Sequence, residues 1–466
     1  SRLLEPSDFG VVTAALVIIG VSEIFYKLGV GPSIVQRLTI TEDHIRTAFT
    51  FTLFLSLIFF VLLNIFSSLI ESIYNIPNIS IIIRVMSFVF LFNGVSVVAE
   101  SLLERNLNFK LISFVSVISY FLGYGIIGIF LALIGFGVWS LVAAFCTSAI
   151  VKSCIVLFKQ PHSKKIMFSL KHFKELIRFG GGYTLNRLVN YGALQSDNFI
   201  AGKMLGAETL GYYSRAYTLM SLPATLFEKS VSKVLFPILS KVQKDKERLS
   251  RAYLKATHLS SMLLFPVSSV LFVLGPDIIL FFLGSQWLHA VYIFQIMSIS
   301  VYFRSAYKIG ATLVRAEGSV YKMLVLQFIY FALIIISSII GAYYHDVIGI
   351  AIGTSVTVLI HYLLTSILTI RITQSSPIDF IKAHIRGIVL SVVLLLILWP
   401  LVYLLKKIEL SPFNILAISS VFLVLFLIVL IRFEERIIGK EMYMLYKNVE
   451  EKVKRLFRYQ NSLRNG

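Results

Sequence analysis

From Phe9 to Ile431 the chain keeps returning to one pattern, an apolar run of about 20 residues followed by a polar connection that rarely exceeds about 15. A run of that length, coiled as a helix rising about 1.5 Å per residue, crosses a hydrocarbon layer about 30 Å thick with its backbone hydrogen bonds closed internally. Thirteen such spans are predicted, at about 9–31, 47–70, 81–102, 113–132, 138–157, 177–202, 209–236, 256–283, 290–313, 323–341, 348–370, 387–404 and 412–431. Composition excludes the soluble alternative: 57% of residues are hydrophobic and 14% charged, against about 25% charged in a soluble domain. The fold class is therefore an all-α polytopic membrane protein, with no connection long enough for a sizeable extramembrane domain.

The formal net charge is +19, from 43 Lys plus Arg against 24 Asp plus Glu. In a soluble protein such a balance suggests nucleic acid; here the positive-inside rule explains it, and no nucleic-acid partner is expected. One set of alternate connections, together with the C-terminal segment, carries 29 basic residues; the other carries only Arg2, Lys203, Lys406 and Lys407. The first set is assigned to the cytoplasm. That places Gly466 inside and Ser1 outside, so a further helix upstream of Ser1, the first of fourteen, is expected. The tail from Arg432 to Gly466 holds nine Lys and Arg, with Met442, Leu445, Val449, Val453 and Leu456 near helical spacing. It is expected either to lie on an anionic inner leaflet or to serve only as a basic topological anchor.

The chain repeats itself. Leu4–Gly10 reads LEPSDFG and Leu205–Gly211 reads LGAETLG, each a short outer turn opening a span, at an offset of 201. Glu23 and Pro32, then Glu228 and Pro237, recur at an offset of 205, and Gly137-Val138 and Gly349-Ile350 at 212. Their common order predicts two related six-helix lobes plus two extra helices, the architecture of a secondary transporter with its site near the midplane. The expected divisions are 1–172 for the N-terminal lobe, 173–375 for the C-terminal lobe, 376–431 for the two additional helices and 432–466 for the cytoplasmic tail.

Ten basic residues fall on spans or at their edges: Lys27, Arg84, Lys152, Arg178, Arg187, Arg215, Lys229, Lys233, Arg304 and Lys308. A charge at a helix centre costs about 2.5 to 3.5 kcal/mol even on the insertion scale, so it is retained where it meets water, a partner or a ligand. Lys27, Arg84, Lys152, Arg178 and Lys233 lie near span ends, where snorkelling or an ion pair can accommodate them. Arg187, Arg215, Lys229, Arg304 and Lys308 are the candidate substrate-binding residues of a cationic cavity. The acidic residues on spans are chiefly Glu23, Glu100, Asp197 and Glu228, so a net positive interior suited to an anion is expected. Glu23 and Lys27 share a helix face and can neutralise each other; Lys229 with Lys233, and Arg304 with Lys308, repel at the same spacing unless an anion or a distant carboxylate separates them. Tyr302, Phe303 and Tyr307 could stack on a sugar ring or simply pack. Asp197, Glu23 and Glu228 are the candidate coupling-ion residues, His258 and His361 further proton carriers.

Other chemistry is missing. Gly180-Gly181-Gly182 precedes Tyr183-Thr184 and lacks the lysine of a phosphate-binding loop; these glycines suit close helix packing or a kink. No HExxH, CxxC or GxSxG motif occurs, and Cys146 and Cys154 have no metal or redox spacing. No enzymatic activity, resident metal or cofactor is expected beyond coupling to H+ or Na+.

From Phe179 the residues FGGGYTLNRLVNYGALQSDNFIAGKMLGAETLGYYSRAY, and further on VLFPILSKVQKDKERLSRAYLKA, resemble the polysaccharide transporter family, the Wzx-type flippases of lipid-linked oligosaccharides, within the superfamily that includes multidrug exporters. LLEPSDFG near the start, LLERNLNFK at 102–110, GFGVWSLV at 135–142 and LFFLGSQW at 280–287 are similar to the same family, and the likeness weakens after about Thr373. The resemblance implies a fourteen-helix, V-shaped fold around a cationic cavity. It implies a multi-pass protein of the bacterial inner membrane that moves undecaprenyl-diphosphate-linked repeat units to the outer leaflet by alternating access, for O-antigen, capsule or exopolysaccharide. A polysaccharide polymerase is an implied partner, alongside membrane lipids. A diphosphate head group fits Arg and Lys donors. The alternative reading is a drug or metabolite exporter of the same superfamily, which would want a carboxylate-rich cavity.

Overall fold

A computed structural model describes residues 2–241 and 245–432, excluding the side chains of residues 179, 182, 183, 229–238, 240, 241, 320 and 430–432. The basic tail beyond Arg432 and the side chains of Lys229 and Lys233 lie outside the described residues. Every regular element among the described residues is helical: α1 (Pro6–Lys27), α2 (Val30–Gln36), α3 (Glu42–Tyr74), α4 (Ile79–Ser87), α5 (Val89–Arg105), α6 (Phe109–Tyr120), a π-helical turn at Phe121–Gly128, α7 (Ile129–Leu133), α8 (Val138–Lys159), α9 (Leu170–Lys241), α10 (Lys246–Phe282), α11 (Ala290–Ile299), α12 (Val301–Ala316), α13 (Val320–Thr373), α14 (Pro377–Lys407) and α15 (Pro412–Arg432).

Nine described helical stretches are long and apolar enough to cross a membrane. One of them, Tyr321–Thr373, holds two spans, because α13 breaks at His345 and Asp346. Helix α9 likewise bends at Gly206, whose φ of 83° lies in the left-handed region that glycine tolerates. Its two arms carry too many polar residues to stand out as apolar, and α11 and α12 are split at Ser300. These pieces recover the thirteen spans of the sequence. The structure adds what hydropathy could not show: α3 starts five residues before its apolar run and α10 runs back to Lys246. The π-helical turn falls where Gly123 lets α8 approach, since a Cβ there would stand 2.5 Å from the Ala144 carbonyl oxygen.

Packing divides the chain into two compact units, one made of Ser1–Arg215 with Gln327–Thr354, the other of Ala216–Leu326 with the chain from Ser355 onward. In the first unit α1 crosses the segment just after the Gly206 bend almost without separation. A Cβ on Gly10 would fall 1.6 Å from the Ala207 carbonyl oxygen, and one on Gly211 would fall 1.9 Å from that of Pro6. The offset of 201 that relates the opening turns converts Pro6 into Ala207 and Gly10 into Gly211, so the two contacts exchange with each other. Thr13 Oγ1 donates to Ser214 Oγ at 3.2 Å, and this pair is itself 201 residues apart. A residue that touches its own repeat image marks a local two-fold axis, so the repeat read in the sequence is present in the packing.

The same small-residue logic closes the other seams. Thr52 Oγ1 donates to the Gly94 carbonyl oxygen at 3.2 Å between α3 and α5, and Ser96 meets Ser153 at 3.0 Å between α5 and α8. In the second unit Ser261 Oγ donates to the Ala383 carbonyl oxygen at 2.8 Å, and a Cβ on Gly387 would sit 2.4 Å from the Ser261 carbonyl oxygen, so α14 lies directly on α10. Lipid is as apolar as leucine, so close backbone approach and interhelical hydrogen bonds must hold such helices together. Gly180 packs against Leu28 and Gly29, as expected of the triple-glycine run, whereas Gly181 faces open space.

Candidate functional site

Charged residues of the spans form one cluster in each unit, with others, among them Arg215 and Asp197, standing apart. In the first unit α1 contributes Glu23 and Lys27, one turn apart, and their ion pair is 2.5 Å long. Lys152 of α8 reaches Glu100 of α5 at 2.6 Å. Both pairs line a cavity of about 150 Å³ together with Asn93, Ser96 and Tyr124. A neighbouring cavity of about 240 Å³ shares Lys27 and Glu100 and adds Glu104 and Arg187. Arg187, on the first arm of α9, is exposed and forms no ion pair among the described residues.

This arrangement corrects one expectation. The cluster is balanced rather than net positive, because Glu104 and Glu100, one turn apart on α5, face the same space as the lysines. Of the two alternatives open to the residues near span ends, Lys27 and Lys152 take the ion pair, Lys27 with the Glu23 expected from their spacing. The candidate arginines do not converge in this unit. The Arg215 guanidinium lies 4.5 Å from the Phe9 ring centre, while Arg187 shares its cavity with Lys27. Phe9 and Lys27 stand at opposite ends of α1, about 27 Å apart at 1.5 Å per residue. No single diphosphate touches both arginines.

Asp197 is 5% exposed; it accepts from the Tyr213 hydroxyl at 2.8 Å and from the Asn198 backbone N–H at 2.8 Å. The Tyr213 bond braces the two arms of α9 about the Gly206 bend, a structural task visible only once the bend is known.

In the second unit Lys308 of α12 forms an ion pair with Glu228 of α9. The distant carboxylate needed to relieve the Arg304 and Lys308 repulsion is therefore Glu228, the repeat counterpart of Glu23. Arg304 donates from Nε to Ser300 Oγ at 3.0 Å and lies 5.3 Å from the Tyr217 ring centre. Lys229 follows Glu228, but its side chain is outside the described residues. The aromatic neighbours pack. Tyr302 is fully buried, stacked on Phe265 at 4.0 Å, with Phe303 against Tyr362 at 5.5 Å and Tyr307 against His361 at 4.7 Å.

Two features escaped the sequence reading. Glu100 and Lys152 form an interhelical pair, and Tyr302, Tyr362 and His384 form a hydrogen-bond chain. His384 Nδ1 donates to the Phe380 carbonyl oxygen at 2.7 Å, leaving Nε2 to accept from the Tyr362 hydroxyl at 2.5 Å, while Tyr302 and Tyr362 hydroxyls meet at 3.1 Å. Both join residues far apart in the chain, so no local spacing announces them.

The fold and the site thus define an all-helical, multi-pass membrane protein with a two-fold repeat and paired charges inside its spans. Compared with solved structures, the fold is similar to "Lipid II flippase MurJ, inward closed conformation", with a TM-score of 0.70 over 90% of this chain and 93% of that one at 19% identity. It also resembles an inward-facing multidrug resistance MATE family transporter of the MOP superfamily, with a TM-score of 0.64 over 80% of this chain and 92% of that one at 18% identity.

A profile of the polysaccharide biosynthesis protein family matches residues 1–292, and the chain belongs to that family. Curated relatives include the succinoglycan biosynthesis transport protein ExoT of Rhizobium meliloti, 29% identical over 64% of this chain and 60% of that protein. The teichuronic acid biosynthesis protein TuaB of Bacillus subtilis is 25% identical over 64% and 62%. The lipopolysaccharide biosynthesis protein WzxC of Escherichia coli is 23% identical over 80% and 76%. The chain thus spans about three fifths of the length of ExoT and of TuaB.

Proposed function

We propose that the protein is a flippase that carries undecaprenyl-diphosphate-linked oligosaccharide repeat units from the inner to the outer leaflet of a bacterial inner membrane, for O-antigen, capsule or exopolysaccharide synthesis. The observation that carries this reading is Arg187, exposed on a polar cavity beside Lys27 and in no ion pair among the described residues. A guanidinium in that position is available to grip a phosphate with two parallel N–H donors.

Arg187 and Lys27 then take the diphosphate in one unit, and Arg304, Lys308 and Lys229 in the other, in alternating access. Arg215, far from Arg187 along α1, serves the opposite end of the path. Proton or sodium uptake at Glu23 or Glu228 frees the paired lysine for the substrate, and this exchange is the coupling step; Asp197 acts as a brace. The C-terminal end is cytoplasmic, and a polymerase takes the repeat unit on the far side. The drug-exporter alternative wants free carboxylates for a cation, but Glu23, Glu100 and Glu228 each hold a lysine.

The test is mass spectrometry of lipid extracts from the native host lacking the full-length gene, with sidedness read by a membrane-impermeant label. Diphosphate-linked repeat units should accumulate on the cytoplasmic leaflet, and Arg187→Ala should fail to clear them at normal membrane abundance. Rising sensitivity to cationic compounds with no such lipid would replace this reading with the exporter.

A further inference from the structure

A cavity of about 830 Å³ opens between the starts of α10 and α14, away from the clusters described above. Arg251, Lys255 and His258 reach it from α10, and Lys382 and Arg386 from α14. Spacings of four and three residues put the first set on one helix face, and a spacing of four does the same for the second. Two basic faces therefore look at each other across one space.

What distinguishes this cavity is the absence of a carboxylate from its wall among the described residues. Glu247 lies 3.6 Å from Arg251 and Asp379 3.8 Å from Lys382, but their side chains are 81% and 55% exposed and neither lines the cavity. Lys255 and Arg386 form no ion pair among the described residues. His258 donates from Nδ1 to the Ala383 carbonyl oxygen at 3.1 Å, and its Nε2 is buried with no hydrogen-bond partner. The deeper clusters set each lysine against a glutamate; here like charges face each other, and an anion would relieve them.

The apolar surroundings say which anion. Leu254 and Ile385 line the cavity beside the cations. From Ile385 the exposed residues Val389, Val392 and Leu396 continue along one face of α14, at the spacing of a helical stripe. A basic pocket continuous with an apolar strip matches a phosphate head group whose acyl chains lie along the helix. A soluble phosphate would have no use for the strip.

We propose that this cavity is a binding site for an anionic phospholipid of the leaflet at which α10 and α14 begin. The phosphate sits among Arg251, Lys255, Lys382 and Arg386, and the bound lipid clamps α14 onto α10. The site is separate from the proposed flippase path, so either reading can fail alone.

The experiment uses the full chain, delipidated in detergent and titrated with phosphatidylglycerol by native mass spectrometry. The double variant K255Q/R386Q should weaken phosphatidylglycerol binding about 30-fold, which is about 2 kcal/mol for two surface cations. K255R/R386K should keep binding within about threefold and shows whether the fold tolerates change there. Glycerol 3-phosphate, the soluble source of the same chemistry, should not displace the lipid at equal concentration. Equal binding by wild type and K255Q/R386Q overturns the site, and displacement by glycerol 3-phosphate overturns its assignment to a lipid.

Discussion

Replacing Gly10 by alanine tests the two-fold crossing directly. A Cβ there falls 1.6 Å from the Ala207 carbonyl oxygen, and on Gly211 it falls 1.9 Å from the Pro6 carbonyl oxygen. Since a carbon and an oxygen rest at about 3.3 Å, the crossing must open by about 1.5 Å, forfeiting much of the dispersion energy of the seam. No side chain can swing aside, because both obstacles are backbone. Each single variant should therefore fall near the top of the overpacking range, a loss of about 3 kcal/mol. The two contacts exchange under the repeat, so opening the crossing for one methyl makes room for the other. The double variant should cost about as much as either single, a coupling of about 3 kcal/mol where independent sites would add.

The assay is detergent-based equilibrium unfolding, with Gly181→Ala as the control. Gly181 has nothing within 4 Å of a built Cβ, so its alanine variant should be neutral or gain up to about 1 kcal/mol. Singles that add, or a Gly10→Ala protein within about 0.5 kcal/mol of wild type, would refute the close crossing and the local two-fold axis with it.

Three further outcomes follow from named contacts. Glu228→Gln and Lys308→Met should each lower stability by about 1 kcal/mol, with a positive coupling in the double variant; purely additive effects would mean the pair is not formed. Tyr362→Phe strands His384 Nε2 and takes one of its partners from the Tyr302 hydroxyl, and should cost about 2 kcal/mol, more than Tyr302→Phe, which removes only the chain's end; a larger loss in Tyr302→Phe would reverse the assigned direction. At the mouth of the first unit, Glu175 meets His44 at 3.0 Å and Arg37 at 2.7 Å. The His44 hydrogen bond and then the Arg37 charge hold its carboxyl below the ordinary 4.5. A depressed folded value favours the folded state above the unfolded pKa and loses that advantage as pH falls through the folded one. The melting temperature of Glu175→Gln should lie below wild type at pH 7, and the gap should close below about pH 4; a gap that stays constant would sink the argument.

The spans were legible because each is a long apolar run, and the Glu23 and Lys27 pair because four residues separate them. Lys152 and Glu100 are 52 residues apart and Lys308 and Glu228 are 80. Helical periodicity carries no signal across such distances, so Lys152 stayed open between snorkelling and an ion pair, and Lys308 between an anion and a carboxylate that could not be located. The split at Ser300 and the π-helical turn at Phe121–Gly128 were hidden for the opposite reason, since hydropathy is continuous through both. The repeat was readable in part. LEPSDFG and LGAETLG keep their spacing because two glycines must meet two backbones, whereas Gly349 faces Gly341, with a built Cβ 2.1 Å from its carbonyl oxygen, and does not open a helix as Gly137 does.

Pairing also bears on how a carrier of anions could work. A lone lysine within a span costs about 3 kcal/mol on the insertion scale, and a lysine already committed to a glutamate is safe while no substrate is present. Glu23 with Lys27 and Glu228 with Lys308 are all between a quarter and two fifths exposed, which places each pair near the weak end, about 1 kcal/mol or less. The transmembrane potential supplies about 2.3 kcal/mol per charge per 100 mV. Under the flippase reading, one proton or sodium ion moving down that field is therefore enough to part a pair and hand its lysine to a diphosphate. A second ion parts the equivalent pair in the other half of the repeat. Glu23→Gln and Glu228→Gln should then each uncouple transport from the ion gradient while leaving binding of the diphosphate lipid intact, and loss of binding in either variant would rule the exchange out.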